Sequence, residues 1–161
     1  MGTMEEIVKL DKKDKKILTE LYHNGRALIS KISSKTQIQR DSVKYRLNKL
    51  QKDVIKSINA NLDYETIGYP ILYKLEINIQ NYNLKIEEEF IKFLSEYPNV
   101  VHIENITGKF DLSVTIAAKN STNFYDILKD IRSKYPEIMR DYEISTINKI
   151  IKFWDYRGLL K

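Results

Sequence analysis

The 161-residue chain contains no cysteine, which removes disulfide frameworks, thiolate metal sites and cysteine nucleophiles together. Its 2 histidines, His23 and His102, stand too far apart in sequence to form a local metal motif. Neither a catalytic constellation nor a metal or cofactor site is expected. No stretch approaches the roughly 18 consecutive apolar residues of a membrane span. The opening MGTMEEIVKLDKKDKK is charged where a secretory signal would be apolar, so a cytoplasmic location is expected. Glycine and proline are scarce, 5 and 3, and YETIGYP at 64–70 combines one of each, as a junction would.

What remains is a globular composition, 42% hydrophobic, with a formal net charge of +5. The charge is unevenly spread. Residues 1–63 hold 14 Lys/Arg against 8 Asp/Glu, and residues 64–161 hold 13 against 14. A basic front half suits a polyanionic partner, and the balanced rear half suits another task.

LDKKDKKILTELYHNG starts with Asp11 as an N-cap, places Ile17, Leu18, Leu21 and Tyr22 at helical spacing and stops at Asn24-Gly25. ALISKISSKT predicts a second short helix with Leu28, Ile29 and Ile32 inward. QIQRDSVKYRLNKLQKD predicts a third, in which Val43, Leu47 and Leu50 form one apolar stripe and Arg40, Lys44, Tyr45, Asn48 and Lys49 face outward or to the flank. VIKSINANLD then alternates like a short hairpin. Three helices and a hairpin make a winged helix-turn-helix, whose third helix fits the major groove of double-stranded DNA. Residues 26–56 carry nine Lys/Arg against Asp41 and Asp53 alone.

Beyond the 64–70 linker the pattern reads strand, helix, strand, strand, helix, strand, a βαββαβ order that predicts a ferredoxin-like domain over 71–161 and an α+β chain overall. Ile71, Tyr73, Leu75 and Ile77 share one side of the first strand, and Leu112, Val114 and Ile116 one side of the third. With both helices on one face, these sets predict an uncovered apolar sheet face that a second copy would bury, making the chain a homodimer.

LDKKDKKIL (10–18), NGR (24–26), VKYRLNKL (43–50), VI (54–55), NLDYETIGY (61–69) and ITGKFDLSVTI (106–116) occur in the order found in the Lrp/AsnC, or feast/famine, regulators, which the chain resembles over nearly its whole length. The resemblance implies sequence-specific transcription regulation through the first domain, here 1–63. It also implies an amino-acid effector bound by the second domain, and dimers that assemble further into octamers. Two residues depart from the family pattern. Gln39 replaces the usual Ser or Thr at the start of the third helix, so that start is expected to slip toward Asp41; Asp53 replaces a glycine before Val54.

Arg46 falls on the family's VxxR position and has two readings: a bidentate phosphate grip, or an ion pair with Asp41 or Asp53. Arg40, Lys44 and Tyr45 are candidates for base contacts, Gln39 for adenine if it points into the groove, and Ser42 joins the set. Lys31, Lys35 and Lys49 suit diffuse phosphate neutralisation. In TGKFD the minimal reading is a β-turn, with Gly108 at positive φ and Asp111 bonding backbone. The resemblance adds an effector role for Thr107, Gly108 and Asp111, and for Thr146 on the last strand. Two other functions compete: an architectural DNA-binding protein of low specificity, and a sirohaem decarboxylase, which the chain resembles more weakly and whose histidine chemistry would fall to His102.

Overall fold

The structure is a computed structural model and describes residues 7–79 and 83–160. Two compact units are present: Met1–Asn61 with Lys152–Lys161, and Leu62–Ile151.

In the first unit, α1 (Lys12–His23), α2 (Ile29–Thr36) and α3 (Arg40–Asp53) enclose a core of Ile17, Ile32, Ile38, Val43 and Leu50. α1 opens on the expected cap: Asp11 accepts from the amides of Lys13 (2.7 Å) and Asp14 (2.9 Å), and Asp14 returns a bond to the amide of Asp11 (3.1 Å). This capping box satisfies donors that every helix start leaves open. α2 starts at Ile29 with Leu28 as its cap residue, which turns Leu28 out to 71% exposure instead of inward as its spacing predicts. Gln37 then takes the left-handed conformation (φ 59°) and ends α2. α3 keeps Gln39 as its N-cap without a side-chain cap bond, so the expected slip toward Asp41 does not occur.

Residues 54–60 form no strand, correcting the expected wing hairpin; an alternating stretch without a partner strand has no ladder to join. This segment still packs on the unit. A Cβ on Gly25 would come within 2.6 Å of the Ile58 Cγ2 atom, so the α1–α2 turn needs glycine for this close approach. The C-terminal segment also returns here, with the Tyr22 hydroxyl donating to the Trp154 carbonyl and a short 3-10 turn, Arg157–Leu160, against α1. Residues 152–160 thus group with the helices, not with the 71–161 domain expected from the strand pattern.

The second unit begins before the expected linker. Asp63 accepts from the amides of Glu65 and Thr66 and from the Thr66 hydroxyl, making 64–68 a capped turn that ends at Gly68 (φ 94°). It continues as β1 (Ile71–Ile77), α4 (Leu84–Glu96), β2 (Val100–Asn105), β3 (Leu112–Ala118), α5 (Ser121–Lys134) and β4 (Tyr142–Ile147). The sheet order is β2-β3-β1-β4 and every pairing is antiparallel, which is the expected ferredoxin-like arrangement. Ahead of the last strand, Ile138 and Met139 enter the core.

Register decides which face is open. Leu75 pairs with Val114 and Ile144, and Ile77 with Leu112 and Tyr142; this side packs with Phe90, Leu94, Phe124 and Ile131 of α4 and α5. Tyr73 of the same side stacks on Phe124 at 3.8 Å. Apart from the half-buried Ile71, the apolar sets expected to await a second copy therefore pack against the chain's own helices. The opposite face carries the rows Glu104–Ser113–Glu76–Glu143 and Lys74–Thr115 with His102 and Ser145, and one apolar row, Leu72–Ala117–Ile147.

Candidate nucleic-acid interface and effector loop

The DNA-facing candidate is the outer side of α3. Val43 and Leu50 are buried and Leu47 is partly buried, and this stripe fixes the helix phase. Arg40, Lys44 and Asn48 recur four residues apart along one flank of the stripe, and Asp41, Tyr45 and Lys49 continue round the far side, all exposed. Tyr45 is 72% exposed. Among the described residues no ion pair engages Arg40, Lys44 or Lys49, whereas Lys35 is paired with Glu20 at 2.7 Å. Gln39 is exposed at the helix start, Ser42 is partly buried on the flank and Lys31 is exposed on α2. Asn48 belongs to this face by its i, i+4, i+8 spacing from Arg40 and joins the site.

The turn before α3 is held by side chains: the Ser33 hydroxyl donates to the Ile38 carbonyl (2.6 Å), and the Gln37 amide to the Ser34 carbonyl (2.9 Å). These bonds set the α2–α3 angle that a helix-turn-helix requires.

Arg46 departs from the expected ion-pair partners. Its Nη1 lies 2.6 Å from Asp11 Oδ2 and 2.7 Å from Asp14 Oδ1, so it pairs with the cap of α1 instead of Asp41 or Asp53. Backbone donation from Asp14, followed by the Arg46 guanidinium, lowers the Asp11 carboxyl to about 2. The sequence signal was partial: Asp11 and Asp14 stand at N-cap and N3 of a helix, but only the tertiary fold brings α3 to them.

In the second unit, Asp111 accepts from the Ile79 amide at 2.7 Å through Oδ2, and its own amide donates to the Ile77 carbonyl (3.0 Å). It therefore staples the end of β1 to the β2–β3 loop. Thr107 and Gly108 are exposed, Gly108 with a positive φ as expected. Phe110 beneath them is buried, and Lys109 lies over its ring at 4.8 Å while bonding the Glu143 carboxylate. Thr146 is not brought to this loop within one chain: it pairs with Tyr73, whereas the loop closes on the end of the sheet where Ile77 meets Tyr142. His102 sits on the open sheet face with Nε2 3.1 Å from Glu104 Oε1. Among the described residues no cluster fit to hold a metal ion occurs, and no helix is long and apolar enough to cross a membrane.

The family model for the AsnC-type helix-turn-helix domain matches residues 10–51, and that for the Lrp/AsnC ligand binding domain matches residues 75–152. The chain is 33% identical over 128 residues to the HTH-type transcriptional regulator FL11 of Pyrococcus horikoshii, covering 77% of this chain and 83% of the relative. It is 32% identical over 126 residues to FL11 of Pyrococcus furiosus, covering 76% and 82%. Among solved structures, a transcriptional regulator of Neisseria meningitidis in complex with L-Met superposes with a TM-score of 0.83 at 22% identity, over 94% of this chain and 99% of that one. AsnC of E. coli gives 0.80 at 14% identity, over 93% and 99%. A three-helix reader with an exposed basic face, joined to a βαββαβ ligand-binding unit and matched over both halves, places the chain in the Lrp/AsnC family of DNA-binding transcription regulators, which are not enzymes.

Proposed function

We propose that this regulator reads its operator through the outer face of α3, with Arg40, Lys44, Tyr45 and Asn48 toward base edges and Lys49, Lys31 and Ser42 toward phosphates. Gln39 joins at the helix start. The observation that carries the reading is the contrast along one helix: Arg40, Lys44 and Tyr45 are exposed, from the flank of the Val43–Leu50 stripe round to the side opposite it, while Arg46 is tied to carboxylates. An Arg or Lys on such a face can pair with guanine, and Tyr45 with a thymine methyl or a phosphate. A cytoplasmic protein acting on sequence-specific sites must bind them more tightly than bulk DNA by a wide ratio. Measuring that ratio at stated salt tests the reading against an architectural protein of low specificity, for which it approaches one.

The effector is proposed to be an amino acid or related metabolite, the ligand class named for the Neisseria regulator, met by Thr107, Gly108 and Asp111. Thr146 enters only if a second chain brings it to the loop. A homodimer, assembling further to an octamer, is the proposed working state. Support for self-association comes from the sheet face away from the helices, whose rows bear Glu76, Glu104 and Glu143 beside Lys74, a pattern of both signs able to complement itself across a twofold axis. Thermal unfolding in the presence of a panel of amino acids, with light scattering on the same samples, tests both parts: an effector must stabilise the fold and shift assembly together.

A further inference from the structure

The Arg46 contact is a division of labour among carboxylate oxygens. Asp11 spends Oδ1 on the amides of Lys13 and Asp14, and Asp14 spends Oδ2 on the amide of Asp11. That leaves Asp11 Oδ2 and Asp14 Oδ1, and the single nitrogen Nη1 of Arg46 bridges these two. The cap of α1 and the anchor of α3 are therefore the same pair of side chains. Arg46 and Asp14 are mostly shielded, with side-chain exposures of 24% and 17%, which favours a persistent pair over a fluctuating surface contact.

Arg46 also sits at the edge of α3 between the buried stripe and the DNA-facing side. The Val43–Leu50 stripe sets the phase of α3, but apolar packing is non-directional and sets it less finely than a directional bond does. A charge-assisted bond is directional. We propose that Arg46 is a positioning residue: by bridging the two carboxylates that cap α1, it sets the roll of α3 and thus which of Arg40, Lys44 and Tyr45 meets each base. The inference rests on the DNA-reading role of α3.

The experiment measures base preference, by selection from random DNA, and the salt dependence of affinity for the full chain and three variants. Arg46→Gln removes the bridge, Asp14→Asn removes one pillar while keeping the arginine, and Arg46→Lys restores a cationic nitrogen. Positioning predicts that Arg46→Gln and Asp14→Asn each lower the ratio of specific to non-specific affinity by about tenfold, the order of one lost base contact. Their double variant should lose no more than either alone, the slope of log affinity against log salt should stay unchanged, and Arg46→Lys should recover most of the preference. Asp14→Asn leaves Arg46 charged, so it keeps the question open to test should Arg46→Gln prove poorly folded.

A drop in the salt slope of about one for Arg46→Gln, with Asp14→Asn binding all DNA more tightly, would make Arg46 a phosphate contact and overturn the inference. Folded variants with unaltered base preference would overturn it too, reducing the bridge to a structural tie. A wild type without base preference would instead overturn the DNA-reading role of α3, and the inference with it.

Discussion

The two units solve stability differently. Among the described residues the ligand-binding unit buries fourteen apolar residues in one cluster, and the helical unit five. With so small a core the reader relies on directional polar ties: the capping box, the Arg46 bridge, the Ser33 and Gln37 bonds across the turn, and the returning C-terminal segment. Ties of that kind control orientation as well as stability. Polar substitutions in the helical unit should therefore disturb recognition, while those in the sheet unit should leave recognition intact.

The largest expected effect comes from the small core. Ile17→Ala, at a fully buried position, should cost about 2–5 kcal/mol and abolish DNA binding, with the sheet unit still melting cooperatively in calorimetry. Loss of both transitions together would erase the distinction between the units. Next is Asp111→Ala, which strips the Ile79 amide of its acceptor and should cost about 1–3 kcal/mol in urea unfolding of the sheet unit. DNA affinity without effector should stay within twofold of wild type, and a larger drop would show that the units are not separable in this way. Effector-induced stabilisation should vanish in the same variant.

How far the sequence speaks for these ties is uneven. Asp11 was legible as a cap because capping depends on residues three apart in one chain segment. The α3 stripe and the βαββαβ order were legible for the same reason, since period and order are local properties. Arg46 was not: its partners lie more than thirty positions away, and the nearer acids Asp41 and Asp53 offered themselves first. The sheet shows the same limit. Alternation sorted Tyr73, Leu75 and Ile77 onto one side correctly, but which side the helices cover is a matter of chain crossing, and the set assigned to a partner lies under α4 and α5. Leu28 failed because the helix starts two residues later than its pattern suggests, at Ile29, which leaves Leu28 as the exposed cap residue.

A smaller effect is expected from the C-terminal tie. Tyr22→Phe removes the donor to the Trp154 carbonyl at an exposed site and should cost about 0.5–1.5 kcal/mol, visible as faster amide exchange in α1. Unchanged exchange would remove the tail from the list of ties. The smallest effect concerns acid. Asp11 titrates at about 2 in the folded chain against an ordinary 3.8, so its contribution is present above pH about 3.8 and lost as pH falls through about 2. Helical-unit stability should decline over that window, and Asp11→Asn should flatten the decline; an identical acid profile in the variant would mean that other carboxylates govern it.

The most direct test of the central claim is the change in base preference on Arg40→Ala and Lys44→Ala, measured by selection from random DNA with the full chain. The account predicts that the wild type enriches a defined motif and that each variant loses discrimination at its own position, while Lys49→Ala weakens binding about equally across sequences. If both variants kept the wild-type motif and lost only overall affinity, the outer face of α3 would not be reading bases and the assignment of recognition to it would be contradicted.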